Sequence, residues 1–344
     1  MKIIDISGFG HSGKSAVTDY LKQYSCVSSF PNHVEFELIR VSGGLLDLYF
    51  SIYESWNLIR STVRINEFKN LVNRIGTPQS ISNPISYFTA SGHGYEKLFN
   101  YRFTEISNNF INRIITGKQK TFWPYENLRV NPLLVFFNKF KARFFNTLLT
   151  SEIYFSDRNH FLTHTEAYFK ELFSEIAETQ HTHFLLSNAF EPFNPKLCID
   201  MIGDAFSIIV DRDPRDIYAS QINESDVYIP DFEQNRNNGS IKKLMTGFGN
   251  IDHFIFRYKA LKENLVRNSN ARIININYED FVLNHDSCAG NIKSIIGISE
   301  NENLIASDFD ISRSRQNVGL WKKYADLREI KMIEDQLGQF CHNY

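Results

Sequence analysis

Residues Gly8 to Ser15 read Gly-Phe-Gly-His-Ser-Gly-Lys-Ser, a complete G-x-x-x-x-G-K-S phosphate loop near the start of the chain. The apolar run Ile3, Ile4, Ile6 ahead of it predicts a buried strand, and Ala16 to Tyr24 behind it predicts a helix. A strand, a glycine-rich turn and a helix N-terminus in that order aim several backbone N–H groups at one point, where they cradle phosphate oxygens. Gly10, His11, Ser12, Gly13, Lys14 and Ser15 are therefore the candidate phosphate-binding residues, Lys14 adding a point charge and Ser15 a hydroxyl.

Such a loop needs a parallel sheet around it, and the chain supplies the strands. His33 to Ile39, Phe184 to Leu186, Phe206 to Val210 and Arg272 to Tyr278 read as short buried strands, with a long helical pattern from Phe254 to Arg267 before the last. Strands alternating with helices predict a three-layer α/β P-loop fold, a mostly parallel central sheet flanked by helices. Residues 41–180 break the alternation. They are rich in Phe, Tyr, Leu and Asn, with apolar residues at helical spacing in Leu45 to Ile52, Phe103 to Ile114 and Phe161 to Phe173. We expect them to form a large helical insertion covering the mouth of the sheet on the acceptor side. Residues 181–344 then complete the nucleotide-binding core of a single domain, 1–344, and 230–240 is the one loose loop expected.

A length of 344 residues is ample for a substantial core, and 42% apolar with 22% charged residues describes a globular chain. The net charge of −2 excludes the basic surplus of a nucleic-acid partner, so phosphate binding must be local. Cys26, Cys198, Cys288 and Cys341 have no paired spacing and predict reduced thiols, with neither a zinc site nor a disulfide framework. His160, His164, His181 and His183 likewise lack metal-ligand spacing. The start Met-Lys-Ile-Ile-Asp leaves no room for a secretory leader, and no apolar run is long enough for a membrane span, so the expected location is cytoplasmic.

The second informative segment is Ile208-Ile-Val-Asp-Arg-Asp-Pro-Arg-Asp-Ile-Tyr-Ala-Ser220. A strand runs to Val210, Pro214 breaks it, and a helix with an acidic first turn begins about Asp216. Arg212 then stands at the carboxyl edge of the sheet, where ligands bind in open α/β folds, with Ser220 able to face the same crevice. The spacing of Arg212, Pro214, Asp216 and Ser220 resembles the 3′-phosphate signature of sulfotransferases that use 3′-phosphoadenylyl sulfate (PAPS). Ser314-Arg-Gln-Asn-Val-Gly-Leu-Trp-Lys322 resembles that family's late Gly-x-Trp-Lys loop. The resemblance implies PAPS as donor, with Arg212, Ser220, Arg315, Gly319, Trp321 and Lys322 around the 3′-phosphate, and no metal. It does not extend to residues 41–180.

The chain departs from the family in the phosphate loop. Aligning the shared Ser-Gly puts His11 at the family's basic position and Lys14 at a Thr position. Either can neutralise charge on the leaving phosphate oxygen, and Lys14 takes the larger share because a lysine ammonium keeps its charge across physiological pH whereas an imidazole need not. A transfer to a hydroxyl or amine also needs a proton acceptor. Glu35 and Glu37, two apart on an expected strand, would share a face; one branch of the family has a catalytic glutamate there with an arginine close behind, matched loosely by Arg40. His93, between two glycines, is the rival base.

Phe136 to Phe145 interleaves Lys139, Lys141 and Arg143 with phenylalanines. It reads as a core helix with snorkelling cations, with contact to a membrane surface or an acidic glycan as the alternative. Trp123 and Tyr125 suit a buried aromatic cluster or a sugar platform. The reading that accounts for all three motifs is sulfuryl transfer from PAPS to an acceptor, a carbohydrate being the first candidate. The alternatives are a Mg²⁺-dependent kinase, with Asp211 as metal ligand, and a nucleotide-binding protein without transfer chemistry.

Overall fold

The structure, a computed structural model, describes residues 1–31, 34–77, 94–123, 128, 130–146, 150–223, 250–266, 270–305, 308–324, 326–342 and 344. The strands are β1 (Lys2–Gly8), β2 (Val27–Ser29), β3 (Ile115–Thr121), β4 (Ser151–Ser156), β5 (His183–Ser187), β6 (Ala205–Asp211) and β7 (Ile273–Asn277). By its internal contacts the chain divides into two compact units, Met1–Phe36 with Ala177–Tyr344, and Glu37–Ile176.

The first unit is a three-layer α/β fold on a parallel sheet of order β2-β5-β1-β6-β7. β1 lies at the centre, Ile4 registering with Leu185 of β5 and Phe206 of β6. Its isoleucines are stiff at χ1 and buried on both sides, which suits a central parallel strand. Ile4, Ile6, Ile208 and Ile274 share one core with Val17 and Leu21 of the helix Lys14–Lys22 and Ile292 and Ile296 of the helix His285–Ile296. From β1 the chain turns toward β2, whereas from β6 it continues to β7 on the other side. The carboxyl ends of β1 and β6 therefore flank a switch in strand order, where a ligand crevice opens.

Four of the expected strands form, and His33 to Ile39 does not. Its described residues are coil and turn, and the edge strand is Val27–Ser29 instead. Pro31 stands two residues beyond that strand and cannot donate to a ladder, and the carbonyl of Glu37 closes a helical turn by accepting from Arg40 N and Val41 N, both at 3.2 Å.

In the second unit the helices Leu58–Gly76, Phe103–Ile114 and Phe161–Ser174 meet through aromatic rings. Phe110 stacks on Tyr168 with centroids 4.6 Å apart and meets Phe68 edge-on at 5.9 Å, while Ser107 Oγ and Tyr168 OH share a 2.7 Å hydrogen bond. The unit is not purely helical: β3 and β4 form an antiparallel pair. The helix Pro132–Phe145 buries none of its side chains, so it is not the core helix its periodicity suggested. Among the described residues no helix is long and apolar enough to cross a membrane. The expected loop 230–240 lies outside the described residues, as do His33, His93 and Tyr125.

β1 carries one buried acid, Asp5, which accepts from Ala189 N at 2.7 Å and from the Ser7 hydroxyl. Burial pushes its carboxyl up to about 6 from 3.8. Between these values the folded chain holds a proton that the unfolded chain has lost, so this group's contribution to stability falls as pH rises through the window. Asp5→Asn lacks that loss. Thermal or urea unfolding from pH 4 to 6.5 is expected to show the variant gaining on the parent as pH rises, by on the order of 3 kcal/mol across the window.

Candidate functional site

The phosphate loop connects β1 to the helix Lys14–Lys22. Two residues take left-handed backbone, His11 at φ 64° and Gly13 at φ 89°. Gly13 is required twice over, because a Cβ there would also come within 2.2 Å of the Tyr278 ring. A Cβ on Gly8 would strike the Val210 carbonyl at 2.4 Å and Ser12 Oγ at 2.5 Å. The loop is thus pressed against β6 at Gly8 and against Tyr278 at Gly13, with no room for a side chain at either, whereas Gly10 faces open space. Lys14 Nζ donates to the carbonyls of Gly8 (2.9 Å) and Phe9 (3.3 Å), and so lies across the loop.

Arg212, one residue past β6, is 4% exposed. Its Nη1 donates to the His11 carbonyl at 2.9 Å and to Ser220 Oγ at 3.2 Å, and Nη2 donates to the Asn317 carbonyl. The guanidinium also sits 4.9 Å from the Tyr278 ring centroid. Phosphate loop, Ser220 helix and late loop therefore meet on one cation. The helix bearing Ser220 starts at Pro214 itself, two residues before the sequence expectation, since proline's missing N–H costs nothing in a first turn.

A cleft of about 390 Å³ opens at this junction, lined by His11, Gly13, Ser15, Arg212, Ser220, Tyr278 and Arg313 among others. The buried polar atoms without a hydrogen-bond partner among the described residues include Arg212 Nε, on a lining residue, and Ser12 Oγ, between the lining residues His11 and Gly13. An unpaired buried donor or acceptor costs about 1–3 kcal/mol, which an incoming polar ligand can recover. A glycine-walled cradle, one buried cation and two unpaired polar atoms fit a ligand bearing more than one phosphate.

Burial, then the charges of Arg212, Lys14 and Arg257, push the His11 imidazole down to about 4.

The late loop supports the site from behind. Asp216 accepts from Gly319 N at 2.7 Å and Trp321 N at 3.1 Å, which fixes the loop against the helix after β6. Gly319 has φ 74°, and the Trp321 ring receives the Arg215 guanidinium at 4.6 Å and Lys322 Nζ at 5.5 Å. Gly319, Trp321 and Lys322 do not line the cleft, nor does Arg315, whose Nε donates to the Val282 carbonyl at 2.9 Å. Arg313 lines it instead.

Glu35 belongs to the same unit. Asn188, directly after β5 and with φ 52°, donates from Nδ2 to both Glu35 oxygens at 3.4 and 3.5 Å. Asn188 N bonds the Ile6 carbonyl at 3.0 Å, which sets it beside the end of β1. Glu37 falls in the other unit, its N–H donating to Tyr95 OH at 2.8 Å, so the two carboxylates do not share a strand face. Asp211 is taken up by Lys262, whose Nζ donates to its Oδ2, and by Arg212 N at 3.0 Å. Sequence reasoning missed Tyr278, Asn317, Arg313, Asp5 and Asn188. Only the dipeptide Tyr278-Glu279 at the end of a predicted strand could have signalled one of them.

No family model matches this chain, and no curated protein matches it. Among solved structures, it is similar to the sulfotransferase STF1 of Mycobacterium tuberculosis at 12% identity and a TM-score of 0.35, over 98% of this chain and 76% of that one. It is similar to sulfotransferase STF9 of Mycobacterium avium at 9% identity and a TM-score of 0.37, over 98% and 76%. The sulfotransferase domain from the curacin biosynthetic pathway gives 12% identity and a TM-score of 0.38, over 98% and 97%.

The field of Arg212 and Lys14 on His11 is open to measurement. In the ligand-free protein the His11 ring is expected to titrate near 4 by NMR, and Arg212→Ala to move that midpoint upward; a midpoint at the ordinary value of 6.5 in both would show that the ring does not feel these cations.

Proposed function

We propose that this chain is a sulfotransferase that moves the sulfuryl group from PAPS to an acceptor hydroxyl or amine, with a carbohydrate as the acceptor class. The observation that carries the reading is Arg212. It is a buried cation beside the phosphate loop, and its hydrogen-bond partners among the described residues are all neutral, so its charge is left for a second phosphate. A nucleotide phosphorylated at one end only leaves that charge unmatched.

PAPS, when bound, supplies a sulfuryl group on a good phosphate leaving group. The residues divide the remaining work. Gly10 to Ser15 would hold the 5′ end, with loop N–H groups and Lys14 stabilising charge that grows on the departing oxygen. Arg212 and Ser220 would hold the 3′-phosphate, and Arg313 takes over from Arg315 as the late-loop cation on the cleft. Glu35 is the proposed general base, oriented by Asn188 so that its carboxylate can take a proton from the acceptor as sulfur is attacked in line. The kinase alternative asks Asp211 to ligate Mg²⁺, but that carboxylate is committed to Lys262.

Calorimetric titration with 3′,5′-adenosine bisphosphate, 5′-AMP and Mg-ATP separates these readings. The bisphosphate is expected to bind tightest, and Arg212→Ala to weaken it roughly 10- to 100-fold while leaving 5′-AMP little changed. Tight, Mg²⁺-dependent ATP binding indifferent to Arg212→Ala would overturn the proposal.

With an acceptor in hand, Glu35→Gln is expected to lower kcat by about 10²- to 10⁴-fold with bisphosphate binding retained, whereas Glu37→Gln leaves kcat near that of the parent. The reverse pattern would move the base to Glu37.

A further inference from the structure

The helix Pro132–Phe145 is built by its own sequence; among the described residues only its back face, Val135, Asn138 and Ala142, is partly buried. Asn131 caps it by accepting from Leu133 N at 2.9 Å, Pro132 occupies its first turn, and Asn146 closes it in left-handed backbone. No side chain along it is buried. Leu133, Phe136, Phe137, Phe140 and Phe144 recur at three- and four-residue steps and share one face, as the Phe136–Phe140 and Phe140–Phe144 ring contacts at 6.4 and 4.5 Å attest. These five are 42–68% exposed. At about 100° per residue, Lys141 falls on one flank of that face and Lys139 and Arg143 on the other. The helix has no acidic residue.

We infer that this helix lies on an anionic lipid bilayer, its phenylalanine face in the headgroup and acyl boundary and its three cations among the phosphates. Charge selects this occupant. A second copy would bring three uncompensated cations against three more, and an acidic glycan would leave five large apolar side chains in water. A bilayer with anionic headgroups satisfies both features at once, with the long cationic stems snorkelling outward from the apolar face. Fourteen residues at 1.5 Å per residue reach about 21 Å, which suits a helix lying in the interface and not one crossing it.

The test is co-sedimentation of the full chain with phosphatidylcholine vesicles that contain or lack phosphatidylglycerol. Binding is expected to the anionic vesicles, to drop roughly a hundredfold when Lys139, Lys141 and Arg143 are replaced by Gln, and to fall likewise in 0.5 M salt. The triple variant Phe137→Ser, Phe140→Ser, Phe144→Ser is expected to lose it, with an unchanged circular dichroism spectrum and unchanged bisphosphate binding. Phe140→Trp gives a second readout that keeps the apolar face: its emission should shift to the blue on adding anionic vesicles. Absence of binding and of that shift would overturn the inference. So would retention on immobilised heparin without vesicle binding, or concentration-dependent self-association that the serine variant abolishes while vesicles bind neither protein.

Discussion

The site depends on one buried guanidinium. Arg212 brings together the His11 carbonyl, the Ser220 hydroxyl and the Asn317 carbonyl, three segments that the sequence separates widely, and it faces the Tyr278 ring. Burying a cation is costly, and here neutral dipoles and an aromatic face offset the cost without cancelling the charge. Arg215, three residues on, is the contrast. Asp213 and Glu334 each pair with it at 2.7 Å, so it serves the frame. The same residue type does opposite work because one has carboxylates among its hydrogen-bond partners and the other has only carbonyls and a hydroxyl.

That frame keeps the cation in position. Asp213 accepts from Arg215 and from His342 N at 2.7 Å, and the fully buried Glu279 accepts from Asp213 N at 2.8 Å and pairs with His342 Nδ1 at 3.3 Å. The end of the chain is thereby tied beneath the strand end that carries Arg212. Glu279 favours the charged form of His342 and so raises its pKa, and a protonated His342 reinforces the tie. On the other side of the phosphate loop, Asp5 holds Ala189 N and with it the turn that presents Asn188 to Glu35. Backbone and buried acids place the two ends of the site before any ligand contributes.

Much of this was legible in the chain because local rules and global packing agree there. A strand, a glycine-rich turn and a helix start fixed the loop, and Ser220 lies just under two turns into the helix that begins at Pro214, close enough to return a hydroxyl to the guanidinium of Arg212. The errors fall where a local pattern was ambiguous. The run from His33 to Ile39 reads as a strand, but Phe36 is fully buried from coil, and Leu38 and Ile39 from the turn that follows it. Motif alignment pointed to Arg315, yet it is Arg313 that lines the cleft, since residues two apart on the helix Ile311–Arg315 point to different sides. The phenylalanines of Pro132–Phe145 announced an apolar face correctly, but periodicity cannot say whether protein covers it.

The phosphate loop is the proposed anion site of a chain whose net charge is −2. Nothing in the overall balance helps, so the field must come from groups gathered at one edge: loop N–H dipoles, Lys14 and Arg212. His11 registers that field. Its left-handed backbone turns the carbonyl toward Arg212, while its ring, crowded by cations and partly buried, is driven to the neutral form. A residue that supplies a carbonyl to one cation and withholds charge beside another adds no repulsion between them. The lysine at position 14 and the neutral histidine at position 11 are thus two parts of one arrangement, since a second charge on the histidine would raise the cost of holding the loop closed before a ligand arrives.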